Sequence, residues 1–173
     1  MIKFVFNSLE RNNSIEISKC LRQNYNSKIP IIVCIGSDLV VGDSLGPYVG
    51  TKLIKLLGGK AFVYGTLDSP ITAKEIPIIS QTIKTLHPLS KIIVIDAAVG
   101  NKEDVGQVKI YDQGIKPGLG VNKNLPLVGD VSIIGIVSNN INDKNALSSV
   151  RMWLVEKLAD DIINGVTTAF GGV

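Results

Sequence analysis

Residues 31–59 read IIVCIGSDLVVGDSLGPYVGTKLIKLLGG, and the class of the fold turns on them. Ile31 to Ile35 is a continuous apolar run, the pattern of a strand covered on both faces. After the loop from Gly36 to Asp43, Leu45, Val49, Leu53 and Leu56 recur at helical spacing, and Gly58 and Gly59 close the segment. A buried strand followed closely by an amphipathic helix is the opening of a β-α-β unit.

The pattern repeats downstream. Ala61 to Leu67 reads as a second strand, Thr72 to Leu86 as a helix that Pro77 breaks or kinks, and Lys91 to Ile95 as a third strand. Units of this length imply right-handed crossovers and a parallel central sheet. Val105 to Tyr111 follows the third strand too closely for a helical crossover, so it is expected to pair antiparallel or lie at an edge. Val131 to Val137 reads as another buried strand. Lys144 to Asn164 reads as the last helix, with Asp143 as cap, Leu147, Val150, Leu154 and Leu158 inward, and Gly165 as stop. The loop from Gln113 to Pro126 is rich in glycine and proline. Upstream lie an apolar stretch, Ile2 to Phe6, and a helix from Ser14 to about Tyr25. The expectation is a three-layer α/β/α fold on a mostly parallel, mixed sheet. Residues 1–173 form a single domain, with 1–30 an N-terminal extension packed on a 31–165 core.

Composition narrows the function classes. An apolar fraction of 45% against 19% charged residues supplies a packed interior and argues against disorder. No apolar run approaches the roughly 18 residues of a bilayer span, and the N-terminus lacks a signal-peptide pattern, so a cytoplasmic protein without a membrane partner is expected. The net charge of +3 comes from lysines and arginines scattered along the chain, which does not indicate a nucleic-acid partner. Cys20 and Cys34 show no metal-like or redox spacing and read as reduced core residues.

In an open α/β sheet ligands bind beyond the carboxyl ends of the strands. The first strand leads into Gly36, Ser37 and Asp38, with Asp43 beside the next helix; the second leads into Asp68 and Ser69; the third ends in Asp96. Asp130 stands just before the strand that begins at Val131. Each aspartate also has a plain structural reading: Asp43 or Ser44 as a helix cap, Asp68 as an Asx turn before Pro70, Asp130 as the close of a turn after Gly129. Asp96 is the exception, because a carboxylate ending an apolar strand needs a partner. If Asp43 and Asp96 approach each other, repulsion raises one pKa, so that one acid donates a proton while the other orients water. The same pair could instead hold a divalent metal ion as hard oxygen ligands. The loop 36–46 lacks the lysine of a P-loop and the glycine fingerprint of a dinucleotide site. His87 precedes the third strand, some 15 Å from Asp96 at about 3.3 Å per residue, which excludes a serine-histidine triad there.

Taken in order, Cys34 to Asp38, Gly42 to Pro47, Gly65 to Pro70, Ile95 to Ala97 and Leu125 to Gly135 resemble the YyaC-type sporulation proteins of endospore-forming bacteria. That family is similar to the hydrogenase-maturation endopeptidases and the spore germination protease, which share an α/β/α fold. The resemblance implies that Asp43 and Asp96 match two positions that contact metal at the processing site of the maturation enzymes. The sequence departs from those enzymes in three ways. Ser37 stands for asparagine, Gly42 for aspartate, and no ligand histidine lies near Asp130.

The resulting expectation is a sporulation-associated peptidase of the sporulating cell or forespore, acting on a peptide or protein. In it Asp43 and Asp96 are catalytic, and Gly36, Ser37, Asp38, Asp68, Ser69 and Asp130 support them or bind substrate. The alternatives are a non-catalytic binding or assembly protein that keeps the protease-like fold, and a metal-dependent hydrolase with the metal on Asp43 and Asp96.

Overall fold

The computed structural model describes residues 2–25, 29–116, 127–139 and 145–172. Within them the apolar runs become strands and the 3.6-residue patterns become helices. In chain order these are β1 (Ile2–Asn7), α1 (Ser14–Asn24), β2 (Ile31–Cys34), α2 (Leu45–Leu57), β3 (Phe62–Tyr64), α3 (Ile76–Leu86), β4 (Ile92–Val99), β5 (Gln107–Tyr111), β6 (Val131–Ser138) and α4 (Met152–Phe170). A one-turn 3-10 segment, Val41–Ser44, precedes α2.

The six strands form one sheet in the order β1-β5-β6-β4-β2-β3. β2 runs parallel to β3 and β4, and β4 parallel to β6, whereas β5 is antiparallel to both β6 and β1. The antiparallel pairing of the 105–111 region is as expected. Its place is not the edge, because Ile2–Asn7 pairs along its outer side. The first thirty residues thus supply a strand of the sheet and a helix of one layer.

Alternation along the strands sorts side chains into two cores. Ile32, Cys34, Ile93 and Ile95 pack with Leu45, Val49, Leu53 and Leu57 of α2, Ile17 and Leu21 of α1, and Leu158 and Ile162 of α4. Ile31, Val33, Ile35 and Val94 face the other way, onto Ile76 and Ile83 of α3 and onto Val128. Helices on both faces of a mixed sheet make the three-layer α/β/α arrangement.

Four local expectations change. Leu57, not Leu56, completes the buried stripe of α2, and Leu56 is half exposed. Pro77 opens α3 rather than breaking it, since the first turn has no use for the missing N–H. β4 runs on through Asp96 to Val99, because its ladder with β6 continues beyond the end of β2. The last helix starts at Met152, after a turn at 145–149, and passes through Gly165. Gly165 is a contact point, not a stop: a Cβ there would lie 2.4 Å from Ile17 Cγ2, so its bare backbone lets α1 lie close on α4. Asp161 and Asn13 join the same two helices. Both are buried, and the Asp161 carboxylate accepts the Asn13 side-chain N–H at 3.0 Å. The expected cap Asp143 and most of the 113–126 loop lie outside the described residues. Among the described residues no helix is long and apolar enough to cross a membrane.

Candidate functional site

β2 and β4 are neighbours whose outgoing chains diverge: β2 leads through α2 to β3 on one side, and β4 leads toward β5 and β6 on the other. Such a divergence opens a crevice at the carboxyl ends of the two strands, the usual ligand position in this class. Asp43 and Asp96 both arrive there.

Asp43 is delivered by a loop folded back on the end of β2. The Ser37 N–H donates to the Asp43 carbonyl at 3.1 Å, and the Asp43 N–H donates to the Val40 carbonyl at 2.9 Å. Gly36 makes the return possible. Its φ is +137°, and a Cβ there would sit 2.0 Å from the Asp43 carbonyl oxygen. Ser44, the residue at the start of α2, spends its hydroxyl on the Val41 carbonyl at 2.7 Å, and its side chain does not cap the helix. Asp43 is therefore held by the backbone of its own loop, with its carboxyl left for the crevice.

Asp96 stands one residue past the last β2–β4 pair, Cys34 opposite Ile95, while still paired with Ile134 of β6. One side of it is sheet; the other is where β2 has left. Its Oδ1 accepts the Ala97 N–H at 2.8 Å.

The two carboxyls differ in proton affinity. Loss of water on burial pushes Asp43 above the usual carboxylate range, and a Ser37 backbone N–H pulls it partly back. Asp96 is pushed well above that range, first by burial and then by the negative charge of Asp43, against the Ala97 N–H. The asymmetry has a physical order. Asp43 ionises first, while Asp96 is neutral and imposes no field, and Asp96 must then ionise against the charge already present.

The other expected site residues are placed as follows. Gly36 and Ser37 shape the Asp43 loop; the Ser37 hydroxyl accepts the Leu39 N–H at 3.2 Å. Asp38 is exposed on that loop. Asp68 and Ser69 lie at the carboxyl end of β3, two strands from β4, about 10 Å at ordinary strand spacing. Both are exposed in a tight turn in which Thr66 and Ser69 exchange backbone hydrogen bonds at 3.1 and 3.2 Å. The Thr66 hydroxyl donates to Asp68 Oδ1 at 2.7 Å and holds that carboxyl below the usual range, so Asp68 ties down this turn through a hydroxyl rather than through the Asx turn expected before Pro70, whose nitrogen has no hydrogen to donate.

Asp130 lies away from the crevice in which it was expected. Its carboxylate accepts the Ile92 N–H at 2.8 Å, and its own N–H donates to the Ile92 carbonyl at 2.8 Å. Ile92 begins β4, so Asp130 sits at the amino end of the sheet, four residues and about 13 Å from the level of Asp96. A residue that precedes a parallel strand cannot line the crevice at its far end. His87 is likewise remote. It closes α3 and hydrogen-bonds the Tyr64 hydroxyl at 2.9 Å.

Among the described residues no third His, Cys, Asp or Glu joins the pair in a group suited to a metal ion. Two carboxylates without imidazole or thiolate do not fit nickel, which favours nitrogen ligands; they match only a hard cation that keeps most of its water. Cys34, on the core face of β2, has its thiol pushed far up by burial and is no nucleophile.

Two features of the neighbourhood went unread in the sequence. Lys109 of β5 is buried on the same row of the sheet as Ile134 and Asp96, and its Nζ is 2.8 Å from the Asp104 carboxylate. A cleft beside the Asp43 loop is lined by Arg151 and Trp153, and the conjunction of an arginine with the chain's only tryptophan was the available signal.

The hydrogenase maturation protease HycI of Thermococcus kodakarensis shares the fold, with a TM-score of 0.59 at 15% identity over 88% of this chain and 99% of that one. The Bacillus subtilis protein described as "Uncharacterized protein YyaC" is 38% identical over 152 residues, 87% of this chain and 74% of that protein. A family model described as "Protein of unknown function (DUF1256)" matches residues 5–165. With nearly the whole chain matched and a close relative in YyaC, the protein belongs to the DUF1256 family.

Proposed function

We propose that this protein is a peptidase of sporulating cells in which Asp96 acts as the acid and Asp43 as the base. The observation that carries the reading is the unequal pair at the strand-divergence crevice. Asp96 is pushed well above the carboxylate range by burial and by Asp43, so it keeps a proton to give to a leaving amine. Asp43, which ionises first, orients and deprotonates the attacking water. The peptide bond then breaks with the hydroxyl added to the carbonyl carbon and a proton added to the nitrogen. The protease-like fold shared with HycI is consistent with this chemistry, and the sporulation setting is carried over from the resemblance stated above.

The test maps newly formed peptide termini by mass spectrometry after an extract of sporulating cells is incubated with the wild-type protein, Asp43→Asn or Asp96→Asn. New termini present with the wild type and missing with both variants support the reading. An unchanged pattern with either variant overturns it. Cleavage that vanishes with a chelator and returns with a divalent cation would transfer the two aspartates to a metal-dependent hydrolase. Retained partners without any new termini would make the protein a binding module.

A further inference from the structure

We infer that the cleft between the end of β6 and the start of α4 is a peptide-recognition subsite, one that takes an apolar side chain lying next to a carboxylate. The cleft has a volume of about 400 Å³, within the range of small-ligand sites. Its wall is largely apolar, from Val137, Ala146, Val150, Leu154 and the indole of Trp153, and among the described residues Arg151 is the one charged side chain lining it. Trp153 is 63% exposed and Arg151 is also exposed, so both are open to an incoming segment. Among the described residues the Arg151 guanidinium has no ion pair. A guanidinium with no ion pair among the described residues, set at an apolar cleft, selects for a planar anion with an apolar neighbour, and in a peptide that anion is a carboxylate.

The cleft shares a wall with the candidate catalytic loop. The Gly42 N–H donates to the Leu147 carbonyl at 2.9 Å, and a Cβ on Gly42 would meet Val150 Cγ2 at 2.8 Å. Val150 therefore touches the residue before Asp43 on one side and lines the cleft on the other. Val137 and Ser138, at the carboxyl end of β6, line the cleft at the end of the sheet toward which Asp96 lies, and Ser138 pairs with Val99, three residues beyond Asp96. A segment anchored by Arg151 and Trp153 would run past Val150 toward the carboxyl pair. The role as substrate anchor rests on the peptidase reading, but binding itself does not.

The single tryptophan makes the test direct, because an exposed indole shifts its emission to shorter wavelength when covered. Three probes are titrated into the full chain: acetyl-Ala-Ala-Phe with a free carboxylate, its amide, and acetyl-Glu-Phe amide. The expected result is a saturable blue shift with at least one carboxylate-bearing probe. The neutral amide should bind about tenfold or more weakly, as should that probe with Arg151→Gln, as loss of one charge-assisted hydrogen bond requires. Response to the free acid alone assigns the subsite to a chain terminus, and response to the glutamyl amide assigns it to an acidic side chain. Equal binding of acid and amide, no shift with any probe, or full affinity in Arg151→Gln with an unchanged circular dichroism spectrum overturns the inference. The peptidase reading fails separately, as saturable binding with no product.

Discussion

Replacing Asp96 by asparagine should make this protein more stable at neutral pH while removing its activity. Asparagine keeps an oxygen to accept the Ala97 N–H but cannot ionise, so the hydrogen bond at 2.8 Å survives and the charge does not. Because the native pKa of Asp96 is raised, the folded state holds the proton more tightly than the unfolded chain does. The stability Asp96 contributes is complete below its unfolded pKa of about 3.9 and is lost as pH rises through its native pKa. Within that window the wild type should lose up to about 1.4 kcal/mol per pH unit from this group, and the asparagine variant should lose none. At pH 7 the asparagine variant should therefore be the more stable, by a margin that widens with pH for as long as Asp96 of the wild type holds its proton. Urea unfolding followed by circular dichroism from pH 4 to 8 at constant ionic strength measures it. Asp43→Asn supplies a second check. Removing one cause of the raised pKa should move the window to lower pH. Wild-type and Asp96→Asn curves that stay parallel across the whole range would refute the reasoning.

Three further outcomes follow from the same structure. Turnover of any identified substrate should peak between two pH limits, falling on the acid side as Asp43 takes up a proton and on the alkaline side as Asp96 loses one; initial rates against pH check this. Gly36→Ala should cost about 1–3 kcal/mol in chemical denaturation and abolish activity, since the new Cβ would meet the Asp43 carbonyl oxygen at 2.0 Å from a backbone with φ +137°. Asp161→Ala should cost about 1–3 kcal/mol by leaving the buried Asn13 N–H groups short of an acceptor, with hydrogen exchange rising first in α1, and unchanged exchange there would contradict the clamp.

Much of the fold was legible in the chain because its cues are local. Runs such as Ile31–Ile35 have room for only one kind of partner surface, covered on both sides, and the stripe Leu45, Val49, Leu53 sets one face of a helix without reference to the rest of the molecule. The misreadings came from residues whose meaning depends on what packs against them. Gly165 reads as a helix stop until Ile17 is seen lying on it. Met152 rather than Lys144 begins the last helix, because the turn at 145–149 is committed to the Asp43 loop through the Leu147 carbonyl.

The sequence by itself determined that buried parallel strands carry aspartates at their ends, since strand periodicity and residue identity are properties of the chain. Only the tertiary structure decided which aspartates meet. Strand order puts β4 beside β2 and so brings Asp96 to Asp43, while strand direction carries Asp130 to the opposite end of the sheet. Proton affinity was decided there too, because burial and a neighbour's charge exist only once residues distant in the chain have been packed together.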